Sequence, residues 1–321
     1  MRFKLSIIIP IYNSADFLSG ILEDLEQASK ESLFEVIIVD DGSSVDQKEK
    51  EQEILSAREI PNLRVFWNRH GFQAQARTFG LTRVNGEFVL FLDSDDRLPP
   101  LAIQKYISNL DGHDLIIGSV NKQIGQHTFM EKPHNFFYND KQRSVADFLT
   151  KNNETDVGLW NKVFSVNFLK KNAVIFWGEN FFEDTMFILE TLVSINPDRV
   201  LFLSEITYTL IKRSSSTTGT YDTDLPRKVS GFERAVETYL QSKEIELSEK
   251  ARSAWRLRLQ FFILNRKIFS GNSDFVAEIS IFRRYGLLKI LNNKHLKMKY
   301  RLSMIFAMIS PGLYSKLYAK H

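Results

Sequence analysis

The chain contains no cysteine. That excludes disulfides and thiolate metal sites and agrees with a reducing, cytoplasmic setting. No stretch of about 18 or more apolar residues occurs, so no membrane-spanning helix is expected. The opening apolar run, Leu5 to Ile9, stops at Pro10 and is too short for a signal-peptide core. No G-x-G-x-x-G follows that run, which disfavours a dinucleotide oxidoreductase. His70, His113, His127 and His134 show no metal-ligand spacing. Internal repeats and low-complexity segments are also missing.

What is present suffices for a large fold. The chain has 321 residues, 43% of them hydrophobic, enough for one large domain or two smaller ones. The net charge of +3 hides an asymmetry. Residues 251–321 carry fourteen Lys/Arg and only two acids, Asp274 and Glu278. The body is therefore acidic and the tail basic. In the tail, Trp255, Leu257, Leu259, Phe261 and Phe262 alternate with Arg252, Arg256 and Arg258. A basic, apolar helical segment suits an anionic membrane surface. The competing reading is a helical domain that packs on the rest or forms a homo-oligomer. Nucleic acid is not expected, because no recognised nucleic-acid motif accompanies the charge.

Along the first third, strands and helices alternate. Strands are expected at 5–9, 35–39, 62–66 and 88–92, with helices from about 14 to 29 and from 72 to 81. Further on, 99–110 reads as a helix and 115–120 as a strand, with a hairpin or loop over 121–139. Helix is expected at 145–150 and 184–194, and strand at 159–164, 199–203 and 207–211. From about 226 onward the pattern is helical. Continuous apolar strands between helices imply an α/β fold with a Rossmann-like, mostly parallel sheet covered on both faces. The expected division is a catalytic domain over 1–220 and a basic helical region over 226–321.

Ligands of such sheets bind beyond the carboxyl ends of the strands. Two strand ends here carry acids: Asp40-Asp41-Gly42-Ser43 and Asp93-Ser94-Asp95-Asp96. Clustered like charges are costly unless neutralised. Carboxylate oxygens suit Mg²⁺ or Mn²⁺, held between the protein and a substrate's phosphates.

Four motifs occur in order: Ile7-Ile8-Ile9-Pro10-Ile11-Tyr12-Asn13, Val36-Ile37-Ile38-Val39-Asp40-Asp41-Gly42-Ser43, Ala76-Arg77-x-x-Gly80, and Asn85-Gly86-Glu87-Phe88 leading to Asp93-Ser94-Asp95-Asp96. Together they resemble the family 2 glycosyltransferases of the GT-A fold, clearly over about residues 4–120. The likeness continues more loosely to about 215 through Trp160-Asn161-Lys162, Glu183-Asp184 and Arg213-Ser214-Ser215-Ser216. It implies a metal-dependent, inverting transfer of a sugar from a nucleotide donor, UDP-linked by expectation. The acceptor would be a glycan or lipid-linked saccharide in cell-surface polysaccharide assembly, at the inner face of the membrane. Pro10 and Tyr12 would pack near the base. Asp40 or Asp41 would accept from the uracil or ribose, with Asp40 favoured and the other left to cap the turn. Arg77 would reach nucleotide or phosphate. Asp95 would be the main metal ligand, with Asp93 shared between metal and ribose, Ser94 beside them and Asp96 a structural turn. Asp184 would be the base, with Glu183 as its neighbour. Trp160 and Lys162 would line the acceptor side, and Arg213, with Lys212 as its competitor, would sit on a loop closing over the diphosphate. The alternatives are a nucleotidyltransferase and a non-catalytic, membrane-associated scaffold that retains the fold.

Overall fold

The computed structural model describes residues 3–29, 34–177, 181–212, 222–271 and 274–318. It divides into two compact units. The first is Met1–Asn139 with Asn153–Lys212, and the second is Asp140–Asn152 with Arg213–His321.

The first unit opens with β1 (Leu5–Ile11), α1 (Ala15–Ala28), β2 (Phe34–Asp40) and α2 (Val45–Ser56). Next come β3 (Leu63–Trp67), α3 (Gln73–Leu81), β4 (Phe88–Phe91) and α4 (Ala102–Ile107). All seven residues of β1 and all seven of β2 are buried, as expected of strands covered on both faces. β1 runs parallel to β2 and β4, and β2 runs parallel to β3. Leu18, Ile21, Leu22 and Leu25 of α1 fall at helical spacing and close over this sheet.

Beyond β4 the sheet becomes mixed. It adds β5 (Leu115–Ile124) and β6 (His127–Glu131), a hairpin within the segment where a hairpin or loop was expected. Helix α5 (Lys141–Lys151) belongs to the other unit. The chain returns with α6 (Glu154–Val157), β7 (Lys162–Ser165), α7 (Val166–Lys171), α8 (Glu183–Ser194) and β8 (Val200–Lys212). The strand order is β3-β2-β1-β4-β7-β5-β6, with β8 on β5. β7 lies antiparallel between β4 and β5, while β8 follows β5 in parallel. The two strands expected at 199–203 and 207–211 are one strand with irregular register near Ser119.

The far end of the sheet is tied by a buried carboxylate. Glu35 accepts from Ser6 Oγ (2.7 Å), Asn85 N (2.6 Å), Asn85 Nδ2 (3.0 Å) and Arg64 Nη2 (2.8 Å). Gly86 sits so close that a Cβ would lie 2.7 Å from the Ser6 backbone nitrogen. Asn85-Gly86 is thus a structural clasp at the strand starts, remote from the acidic strand ends.

The second unit holds α5, α9 (Leu225–Ser242), α10 (Glu249–Phe269), α11 (Val276–Tyr285), α12 (Leu287–Asn292), α13 (Met298–Ile309) and α14 (Pro311–Tyr318). Two corrections to the sequence reading arise here. The first 220 residues are not one compact piece. Arg258 of α10 donates to Leu149 O (2.8 Å) and Asn152 Oδ1 (2.8 Å) at the end of α5, which draws that helix into this unit. Nor is α10 a lipid-facing helix. Trp255, Leu257, Leu259 and Phe261 are buried, Arg252 pairs with Glu237 (3.0 Å) and Arg256 with Glu233 (2.6 Å). Its alternating apolar and basic residues serve core and ion pairs. Among the described residues no helix is long and apolar enough to cross a membrane.

Candidate active site

The carboxyl ends of β1, β2 and β4 converge with the first turn of α8 and the middle of α3. Pro10 is admissible in β1 because the ladder to β4 ends at Ile8↔Phe91 while the ladder to β2 continues. It is buried within the strand, so it shapes the turn rather than offering a face to a ligand. Asn13 joins two motifs: its backbone N–H donates to Ser43 Oγ (2.8 Å), and its Oδ1 accepts from Ser44 N (2.9 Å). Tyr12 is 50% exposed and stacks on His70 with ring centroids 4.6 Å apart.

The two aspartates at the end of β2 have different partners. Asp40 is fully buried and caps its own turn, accepting from Gly42 N (3.2 Å) and Ser43 N (3.0 Å), with Lys48 at 3.5 Å. Asp41 instead faces the 68–71 segment. It accepts from Gly71 N (2.8 Å), and His70 Nδ1 lies 3.0 Å from its carboxylate. It also lines a cavity of about 500 Å³ shared with Asn68, Arg69, Gln75, Phe176 and Trp177. Gly42 permits this approach: its φ is +82°, and a Cβ there would stand 2.4 Å from His70 N.

Arg77 is the hub. Gly80, one turn later on α3, lets the helix settle on β1, since a Cβ would lie 2.6 Å from Ile8 Cγ2. Arg77 is thereby sunk to 1% exposure. Its Nη1 donates to Asp184 Oδ1 (2.6 Å) and lies 3.7 Å from Glu183 Oε1, while its Nη2 donates to Asp93 Oδ1 (3.1 Å). Phe176 lies beneath the guanidinium, 5.9 Å from its ring centroid. Burial disfavours the charged guanidinium, but Asp184, Asp93 and Glu183 outweigh it and hold it protonated above its ordinary range. The expectation that Arg77 reaches for phosphate gives way to this arrangement: both terminal nitrogens are engaged by protein carboxylates.

Asp184 and Glu183 form the first turn of α8, where acids complement the helix dipole. Burial pushes the Asp184 carboxyl up to about 7, against the pull of Arg77. It still keeps 27% of its side-chain surface, so a hydroxyl can reach it. Burial also raises Glu183, again against Arg77.

At the end of β4, Asp93 and Asp95 are half-buried. Asp93 Oδ1 also lies 3.3 Å from Gln73 Nε2. Ser94 is buried and donates to Ser14 Oγ (3.2 Å), which makes it a brace to the start of α1 and not a ligand contact. Asp96 is buried too. Its two oxygens accept from Tyr208 Oη (2.6 Å) and Ile211 N (2.7 Å), fastening the turn to β8. Two carboxylates, Asp93 and Asp95, fit a hard divalent ion whose other ligands are phosphate oxygens and water. Among the described residues no cluster of three or more acids or histidines could hold a metal by itself.

Trp160 is a core residue, stacked on Tyr208 at 4.7 Å and 5% exposed, so it offers no sugar platform. Lys162 is buried against Thr155 O (2.9 Å), Gly158 O (2.6 Å) and Asn161 Oδ1 (2.8 Å), and burial lowers it to about 7. Arg213 lies outside the described residues. Sequence reasoning missed His70, whose contacts join residues far apart in the chain, and the only local signal was its place just before Gly71.

A parallel half-sheet with acids at its strand ends, joined to a half-buried carboxylate on a later helix, has the layout of a glycosyltransferase. Residues 6–173, just over half the chain, match the family model described as Glycosyl transferase family 2. The chain belongs to that family. A teichoic acid poly(glycerol phosphate) polymerase of Staphylococcus epidermidis is 27% identical over 197 residues, covering 60% of this chain and 26% of that protein. An undecaprenyl-phosphate 4-deoxy-4-formamido-L-arabinose transferase of Photorhabdus laumondii is 36% identical over 120 residues, 35% of this chain and 36% of that protein. The chain thus spans well under half the length of these curated relatives. The crystal structure of S. aureus TarS 1–349 in complex with UDP-GlcNAc has a TM-score of 0.60 at 19% identity, covering 99% of this chain and 91% of that one. At that identity the likeness is one of fold.

Proposed function

We propose that this chain is a metal-dependent, inverting glycosyltransferase. It would move a sugar from a UDP-sugar to a hydroxyl of a glycan or lipid-linked saccharide in cell-surface polysaccharide synthesis. The observation that carries the reading is the bridge from Asp93 through Arg77 to Asp184, which couples the acidic strand end to a recessed carboxylate. The UDP-GlcNAc complex of the similarly folded TarS supports the donor class. The lipid-phosphate and teichoic acid relatives support the acceptor class. The reading includes peripheral contact with an anionic membrane, where a lipid-linked acceptor resides.

Asp184 has Oδ1 taken by Arg77, which leaves Oδ2 to take the proton of the acceptor hydroxyl. A carboxyl raised toward neutrality suits a general base. The acceptor oxygen bonds to the anomeric carbon as the bond from that carbon to the diphosphate oxygen breaks, and the electron pair leaves with the diphosphate. Attack opposite the leaving group inverts the centre. Asp93 and Asp95 would hold Mn²⁺ or Mg²⁺, which when bound supplies positive charge to the leaving diphosphate. Asp41 and Tyr12, beside His70, are the groups offered to the nucleoside. The test is transfer or donor hydrolysis across a panel of nucleotide sugars with and without Mn²⁺. Metal-stimulated turnover of at least one donor is expected, and folded protein inert to all of them would refute the reading. Asp184→Asn should retain UDP binding while turnover falls by about 10²–10⁴-fold.

A further inference from the structure

The second unit has a surface that its own core does not use. Its helices α12, α13 and α14 bury Ile290, Met304, Ala307 and Tyr314. On α13, Met298, Leu302 and Ile309 are exposed and fall at positions i, i+4 and i+11. That spacing is one stripe of a helix, about opposite the stripe that holds Met304 and Ala307. Ile309 is 70% exposed. Leu313 and Leu317 repeat the pattern on α14, and Leu288 and Leu291 on α12. Such a concentration of exposed large apolar side chains marks a contact surface.

Along this stretch of sequence the charge has one sign. From Ile279 to Tyr318 there are eight Lys/Arg and no Asp or Glu. Lys289, Lys294, Lys299 and Lys316 are exposed among the apolar residues. A protein partner with an apolar patch would be served by the leucines alone. Apolar side chains set among exposed lysines, in a stretch of sequence without acids, match a surface that is apolar within and anionic at its rim.

We propose that α12–α14 form a lipid-contact face that lies on an anionic bilayer. Leu302, Ile309, Leu313 and Leu317 enter the headgroup boundary while the lysines meet lipid phosphates. This deepens the membrane part of the function above and rests on that reading only for the choice of a bilayer. It also moves the contact away from α10, whose Trp255, Leu257, Leu259 and Phe261 are buried inside the unit.

The experiment is flotation of the full chain with vesicles of phosphatidylglycerol and phosphatidylcholine, against phosphatidylcholine alone. Binding is expected only to the anionic vesicles and should fall steeply with added salt. Lys294→Gln with Lys299→Gln should weaken binding about 30-fold, at about 1 kcal/mol per charge. Leu302→Ser with Ile309→Ser should abolish flotation while circular dichroism stays unchanged. Donor hydrolysis in lipid-free buffer should be the same for all variants, so a failure here leaves the catalytic reading standing, and the reverse also holds. Absent flotation, equal flotation on both vesicle types, or lipid-independent self-association lost in the same variants would overturn the proposal.

Discussion

Replacing Arg77 with methionine keeps the apolar stem of the side chain and removes its charged head. Three carboxylates, Asp93, Glu183 and Asp184, then face one another without the cation that bridges them. Arg77 Nε already has no hydrogen-bond partner among the described residues, so the loss falls on Nη1 and Nη2. Breaking a buried ion pair from one side costs about 3–5 kcal/mol, because the opposing charge is left uncompensated. The sign of the pH effect follows from proton binding. The Asp184 carboxyl already titrates higher folded than its ordinary value of 3.8, at about 7, and loss of Arg77 raises it further. The folded state then holds more protons than the unfolded chain across that range, so stability is fully present below about 4 and is lost as pH rises through 7 and beyond. Urea unfolding followed by circular dichroism should give Arg77→Met a deficit of about 3–5 kcal/mol at about pH 8.5, shrinking at about pH 5.5. Arg77→Lys keeps a charge but not the fork that spans Asp93 and Asp184, and should recover stability more than transfer. An Arg77→Met midpoint equal to the wild type at both pH values, or lowered equally at both, would refute the bridge as the organising contact.

Three further outcomes are expected. Asp41→Asn should weaken UDP affinity, measured by calorimetry, whereas Asp40→Ala should mainly lower stability by about 0.5–2 kcal/mol through its lost turn cap. Tyr208→Phe removes one of the two donors to buried Asp96 and should cost about 1–3 kcal/mol in chemical unfolding. In the second unit Lys267 and Glu278 form a buried pair at 3.0 Å, so Glu278→Ala should destabilise by about 3–5 kcal/mol, while Lys267→Met with Glu278→Leu should lose far less.

The elements legible in the sequence are those that local chemistry decides. The unbroken apolar runs of β1 and β2 required burial on both faces, and the acids after them required a reason to gather. The family resemblance rested on the same residues. What was not legible depends on partners distant in the chain. β7 is four residues long, and nothing within Lys162–Ser165 announces that it will lie antiparallel between β4 and β5. Asp40 and Asp41 are adjacent and chemically identical; only the strand's alternation and the approach of His70 assign the cap to one and the 68–71 segment to the other. Trp160 and Arg77 were read by residue type, a ring for sugars and a cation for phosphate. Burial assigned the first to Tyr208 and the second to carboxylates. On α10 the sequence shows basic and apolar residues alternating, but the acids that answer them stand on α9, beyond the window of any periodicity.

The course of the chain has a consequence for how this protein is built and inherited. The polypeptide leaves the first unit at Asp140, returns at Asn153 and leaves again after Lys212. Helix α5 carries buried Val145, Phe148 and Leu149, and the helices it belongs with are synthesised about a hundred residues later. A ribosome that has finished the sheet has therefore not finished folding: α5 waits with its apolar face uncovered until α10 emerges. Clean excision of the tail would leave that helix orphaned inside the catalytic half. Gene fusions or exchanges that join at Lys212 should yield aggregation-prone products unless the incoming segment brings its own cover for α5.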